Sequence, residues 1–274
     1  MTSYIFDNAA EAETSQRFNC LDALYNPRTF RFLEATGVRP GWHCLEIGGG
    51  SGSVAAWMAE RAGPSGSVLV TDIDPRFIER SGLPGLANVE LRRHDVGSDP
   101  LPESVFDLIH TRLVLLQVPQ RHQALERLAR ALKPGGWLVI EEFEAHLLDR
   151  TMPAADPAEA EAARFKKVLG ALARLLDERG FEAEWPRRLH ERLKAAGLTE
   201  VGMEGHLAVR PGGSLGATLV AANFAQVRKE AVAKGLVTDA EVDAVLACLG
   251  DPDFAVFSPV MFTAWGRRPH SMAD

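Results

Sequence analysis

Apolar and polar positions along the chain alternate between two rhythms. Short, nearly unbroken apolar runs read as buried strands at residues 43–47, 67–73, 88–93, 105–110 and 137–143. Between them apolar residues return every three or four positions, the spacing of an amphipathic helix. Val54 to Ala59 starts one such helix; residues 119–132 form another through Leu125, Leu128 and Leu132, and Lys133-Pro134-Gly135-Gly136 stops it. Strands alternating with helices predict a doubly wound, mostly parallel α/β sheet, with ligands bound outside the strand C-termini.

The flanks read differently. Residues 7–24 are polar and helix-forming, with Phe18, Leu21 and Leu24 as an apolar stripe. Asn26 reads as an N-cap with Pro27 at the first helical position, and Gly37 as the stop. Further on, Asp156-Pro157 opens a long helix, and Pro186 opens another that ends before Gly197. Residues 198–210 are strand-like, 213–234 helical, and Thr238-x-x-Glu241 is a capping box for a helix closed by Gly250. Residues 254–265 supply a last strand, the seventh. The organisation expected is a helical cap over 1–38 and a Rossmann-like core over 39–145 and 197–268, the latter with a further helical segment at about 213–250. A helical insertion over 146–196 follows a strand whose C-terminal end faces the site, which predicts a substrate lid.

Composition narrows the function classes. Of 274 residues, 46% are hydrophobic and 24% charged, ordinary for a globular protein with a core of its own. A net charge of −7 disfavours a nucleic-acid partner, which needs clustered Lys and Arg. Cys20, Cys44 and Cys248 are widely spaced and odd in number, so neither a disulfide framework nor a metal site is expected. No basic-then-apolar leader opens the chain and no run is long enough to span a membrane, so a cytoplasmic protein without a membrane partner is expected.

The candidate chemistry sits where the first strand ends. In Glu46-Ile47-Gly48-Gly49-Gly50-Ser51-Gly52-Ser53, glycines allow positive φ, and strand–turn–helix is how a chain presents bare backbone N–H groups to a ligand. Gly50-Ser51-Gly52-Ser53-Val54-Ala55 fits a dinucleotide fingerprint, which leaves a nicotinamide dehydrogenase open. Glu46 would repel a diphosphate but suits an ammonium group. Asp72, about 20 residues past the turn, can accept both ribose hydroxyls of either adenosine cofactor. At the end of the third strand, Asp95 can accept from an adenine amino group, with Val96 under the ring.

Together, Glu46-x-Gly48-x-Gly50-x-Gly52, Asp72, Asp95, Phe106-Asp107-Leu108-Ile109-His110 and Lys133-Pro134-Gly135-Gly136 resemble the class I S-adenosylmethionine-dependent methyltransferases over about residues 40–145. The single-chain small-molecule branch, with its quinone-biosynthesis and natural-product enzymes, is most similar. The resemblance implies S-adenosylmethionine as cofactor and S-adenosylhomocysteine as product. Glu46, Gly48, Gly50 and Gly52 would hold the methionine end; Asp72 and Ile73 the ribose and one side of adenine; Asp95 and Val96 its edge and face. Thr111 and Arg112 would approach the amino acid moiety, and Arg17 would pair its carboxylate. His146, Glu142 and His110 are the candidate general bases for methyl transfer to an oxygen, nitrogen or carbon of a small, hydrophobic or aromatic acceptor. A homodimer is compatible with this reading. Three alternatives stay open: sulfonium-assisted cyclisation or decarboxylation on the same fold, a NAD-dependent oxidoreductase, and a non-catalytic assembly partner.

Overall fold

The computed structural model describes residues 11–144, 159–182 and 184–270. A seven-stranded sheet carries the order β3-β2-β1-β4-β5-β9-β6. Its strands are β1 (His43–Ile47), β2 (Ser67–Asp72), β3 (Val89–Arg93), β4 (Phe106–Arg112), β5 (Leu132–Glu144), β6 (Thr199–His206) and β9 (Val260–Arg267). The β1–β2, β2–β3, β1–β4 and β4–β5 pairings are all parallel. Chain order reverses between β1 and β4, and the crevice at the C-terminal ends of such a pair is where open α/β sheets bind ligands. The fold is the expected Rossmann-like one.

Two compact units divide the chain. The first comprises the described parts of Tyr25–Glu142, Trp185–Gly205 and Phe262–Asp274. Its core is the apolar interior of the strands read from sequence: Cys44, Val68, Val70, Leu108 and Val139 meet Val54, Ala55 and Met58 of α2 (Ser53–Ala62) and Leu33 of α1 (Glu11–Ala35). Stacking of Phe30 on Trp57, with ring centroids 5.0 Å apart, ties the C-terminal half of α1 to α2. This unit also holds the one-turn α3 (Arg76–Glu79), α4 (Arg121–Ala131) and α6 (Leu189–Ala195).

The second unit comprises the described parts of Met1–Leu24, Phe143–Glu184 and His206–Met261. Its core joins α5 (Glu159–Asp177), α7 (Leu215–Ala233) and α8 (Asp239–Gly250) through Phe165, Leu172, Leu175, Phe224, Val227, Val245 and Leu249. A two-stranded antiparallel sheet, β7 (Val209–Pro211) with β8 (Ala255–Phe257), completes it. These limits differ from those read in sequence. Residues 185–196, expected in the helical insertion, go with the sheet, whereas α7 and α8, expected within the sheet domain, share a core with α5. Each of these three helices is apolar enough to need burial, and together they meet that need.

Several elements differ in extent. No helix starts at Asn26: α1 runs unbroken from Glu11 to Ala35 with Pro27 inside it. Asn26 does not cap because its side chain is engaged elsewhere, donating to Ser53 Oγ at 2.9 Å and accepting from Arg112 at 2.9 Å. The single strand expected over 198–210 is two, β6 and β7, and that over 254–265 is β8 and β9. β5 reaches back to Leu132, with a register shift opposite Phe106 and Leu108 that takes up the Lys133–Gly136 stretch. The Thr238/Glu241 capping box forms with both of its reciprocal bonds.

Candidate functional site

The glycine turn closes on itself. Gly48, Gly50 and Gly52 all have positive φ, at 72°, 54° and 86°. A Cβ on Gly48 would lie 2.2 Å from Val114 Cγ2, so the turn and the segment after β4 approach as closely as backbone allows. The bare N–H groups expected here are not bare. Those of Gly48 and Gly49 donate to the Thr71 carbonyl at 2.8 and 3.1 Å, that of Gly50 to Asp72 Oδ2 at 3.2 Å, and that of Gly52 to the Gly49 carbonyl at 2.7 Å. A diphosphate needs such donors free, so this turn lacks what a dinucleotide asks for.

Asp72 is held firmly, its other oxygen accepting the Asp74 N–H at 2.9 Å. Burial raises its carboxyl from the ordinary value against the pull of those backbone bonds. Next to it Ile73 is 57% exposed, an unusual place for a large apolar side chain unless something covers it. Asp95 Oδ1 accepts the Gly97 N–H at 2.7 Å, while Oδ2 takes no bond among the described residues. Val96 is buried. Thus Glu46, Asp72 and Asp95 stand at or just past the ends of three adjacent parallel strands, β1, β2 and β3.

Beneath the turn lies a buried polar network in which each member bonds the next. Glu46 Oε2 meets His110 Nδ1 at 2.7 Å, and His110 Nε2 meets Glu141 Oε2 at 3.3 Å. Glu46, His110 and Glu141 are 2%, 0% and 1% exposed. Glu141 also accepts the Thr263 hydroxyl at 2.8 Å and the hydroxyl of Thr29, and Thr29 in turn accepts from Arg112 at 3.0 Å. Burial alone would lower the His110 pKa, but the charge of Glu46 and bonds to both glutamates hold it at about 9. Burial raises Glu46, opposed by His110; for Glu141 the bond and charge of His110, with Arg112 and Thr29, outweigh burial and lower it. Two carboxylates therefore face an imidazolium and a guanidinium, a balanced set.

The chain matches a family model described as "Methyltransferase domain" over residues 16–184. It belongs to that methyltransferase family. Among curated relatives, the ubiquinone/menaquinone biosynthesis C-methyltransferase of Ectopseudomonas mendocina (strain ymp) is 34% identical over 118 residues, 40% of this chain and 45% of the relative. Its Bordetella avium (strain 197N) counterpart is 38% identical over 110 residues, 39% and 43%. The matched stretch thus spans less than half the length of these relatives. Of solved structures, Bacillus subtilis YcgJ superimposes with a TM-score of 0.57 at 18% identity, covering 88% of this chain and 97% of its own. Haemonchus contortus phosphoethanolamine N-methyltransferase 2, solved with S-adenosylhomocysteine, gives 0.60 at 14%, covering 98% and 60%. Both share the fold.

The methyltransferase fold brings some predicted residues together and separates others. Glu46, Gly48, Gly50, Gly52, Asp72, Ile73, Asp95 and Val96 gather at one end of the sheet. Thr111 is fully buried with Oγ1 unpartnered among the described residues, and Arg112 points its guanidinium to Asn26 and Thr29. Arg17 lies in the second unit, where its Nε donates to Asn223 at 3.2 Å. Of the base candidates, His110 has both ring nitrogens engaged. Glu142 is fully buried, accepts the Leu116 N–H at 3.2 Å, and burial raises its carboxyl well above the ordinary range. His146 lies outside the described residues. Sequence reading missed Glu141, Thr29 and Thr263. A signal was present: His110 and Arg112, two apart on a buried strand, share a face and call for buried acids on the neighbouring strands.

Proposed function

We propose that the protein transfers the methyl group of S-adenosylmethionine to a carbon of a small, apolar, quinol-like acceptor. The observation that carries this reading is the row of carboxylates at the ends of β1, β2 and β3 beside a turn whose N–H groups are taken. That donor set suits a ligand with an ammonium, a ribose and an adenine, and it suits a diphosphate poorly. Glu46 Oε1, with no partner among the described residues, would accept the cofactor's ammonium; Asp72 would accept ribose hydroxyls; Ile73 would cover adenine and Asp95 Oδ2 take its amino group. When bound, the cofactor supplies an activated methyl on a positively charged sulfur.

What remains for the chain is alignment and exclusion of water, and positioning of that kind contributes roughly 7–11 kcal/mol. The carbon acceptor is favoured because the curated relatives are named C-methyltransferases. A quinol carbon gains nucleophilicity when its hydroxyl loses a proton, and His146 is the base we assign to that step, since His110 has both ring nitrogens bonded and Glu142 is fully buried. The test is incubation with S-adenosylmethionine and a 2-alkyl-1,4-naphthoquinol, followed by mass spectrometry. A product heavier by one CH2, formed with an equal amount of S-adenosylhomocysteine, is expected. Turnover of the cofactor without a methylated product would overturn the reading in favour of non-methylating chemistry.

A further inference from the structure

Glu46 does not stand alone in its burial, and the company it keeps has a consequence for binding. Among the described residues its carboxylate has one hydrogen-bond partner, His110, whereas the Glu141 carboxylate on the far side of the ring has three donors, Thr29, Thr263 and His110 itself. Every element around the imidazole contributes: Glu46 from β1, Glu141 from β5, Arg112 from β4, with the hydroxyls of Thr29 from α1 and Thr263 from β9. The geometry points to His110, seated between Glu46 and Glu141, as a positioning residue that keeps Glu46 ionised and aimed at the amino group of the cofactor. This rests on the reading that Glu46 receives that ammonium.

Charge balance governs a site this deeply buried. Remove the imidazolium and the two carboxylates face only Arg112, so one of them takes up a proton. Glu141 keeps two hydroxyl donors and stays ionised; Glu46 keeps none and is the one protonated. A neutral Glu46 no longer attracts an ammonium, although the turn around it is unchanged. His110 would then act on cofactor affinity without touching the cofactor.

The experiment titrates S-adenosylhomocysteine and 5′-methylthioadenosine, which lacks the amino acid portion, into wild type, His110→Gln and Glu46→Gln. In His110→Gln, affinity for S-adenosylhomocysteine should fall about tenfold at neutral pH, where a protonated Glu46 no longer attracts the amino group. It should recover as pH rises and Glu46 ionises again. Affinity for 5′-methylthioadenosine should stay within about twofold. A pH-independent loss shared by both ligands means a merely structural role and overturns the proposal. Should Glu46→Gln bind S-adenosylhomocysteine as wild type does, the underlying reading of Glu46 fails instead; a loss in Glu46→Gln alone sinks only the role of His110. If His110→Gln does not fold, nitrogen-15 spectra of histidine-labelled wild type decide. Both ring nitrogens of His110 protonated at neutral pH is the expected result, and a neutral ring overturns the proposal.

Discussion

At Gly48 two constraints act at once. Its φ of +72° is costly for any residue with a Cβ, and that Cβ would overlap Val114 Cγ2 at 2.2 Å. The conformational part is worth roughly 1–2 kcal/mol and overpacking roughly 1–3 kcal/mol. Gly48→Ala should therefore destabilise by about 2–5 kcal/mol in urea unfolding. Adding Val114→Ala should return only the packing share, so the double variant separates the two causes. Full additivity of the two substitutions would mean the side chains never meet. His146 belongs to the same scale: as general base its replacement by Ala should lower kcat about 10²–10⁴-fold with S-adenosylhomocysteine affinity unchanged. An unaltered kcat would remove it from the chemistry.

Among elements, α1 shows where local signals and tertiary structure part. Asn26-Pro27 is a sound helix start by propensity, yet the helix runs through it. Buried Tyr25 and Thr29 fix the turn on either side of Pro27, and Asn26 is drawn off to Ser53 and Arg112. Those partners lie far along the chain, so a local reading could not find them. The Thr238/Glu241 box was legible because it depends on neighbouring residues only, and the central strands because each is a local apolar run. Pro27 is exposed and lacks the N–H its helix would use. Pro27→Ala should stabilise by up to about 3 kcal/mol, the usual cost of an interior proline. No gain in urea unfolding would mean that the packing of Tyr25 and Thr29 already offsets the proline's cost.

For the whole molecule, the buried charges tie folding to pH, and they mark how far sequence reading reached. Glu46 and His110 were both singled out, one for cofactor and one for base. Their union was hidden because it depends on register: Glu46 lies opposite His110 and Glu141 opposite Arg112 across adjacent strands. The linkage has a definite sign. His110 rises from 6.5 to about 9 on folding, so the folded state holds its proton more tightly. That stability is full below pH 6.5 and lost as pH rises through about 9, and for this fully buried group it amounts to ~3 kcal/mol. Glu142, also raised by burial, contributes in the same direction above its ordinary value. Glu141, lowered, does the opposite: its contribution is present above 4.5 and lost as pH falls below it. Unfolding free energy measured in a Glu142→Gln background removes the Glu142 share. It should decline between about pH 6.5 and about pH 9, and a flat profile there would mean that the imidazole is neutral between its two glutamates.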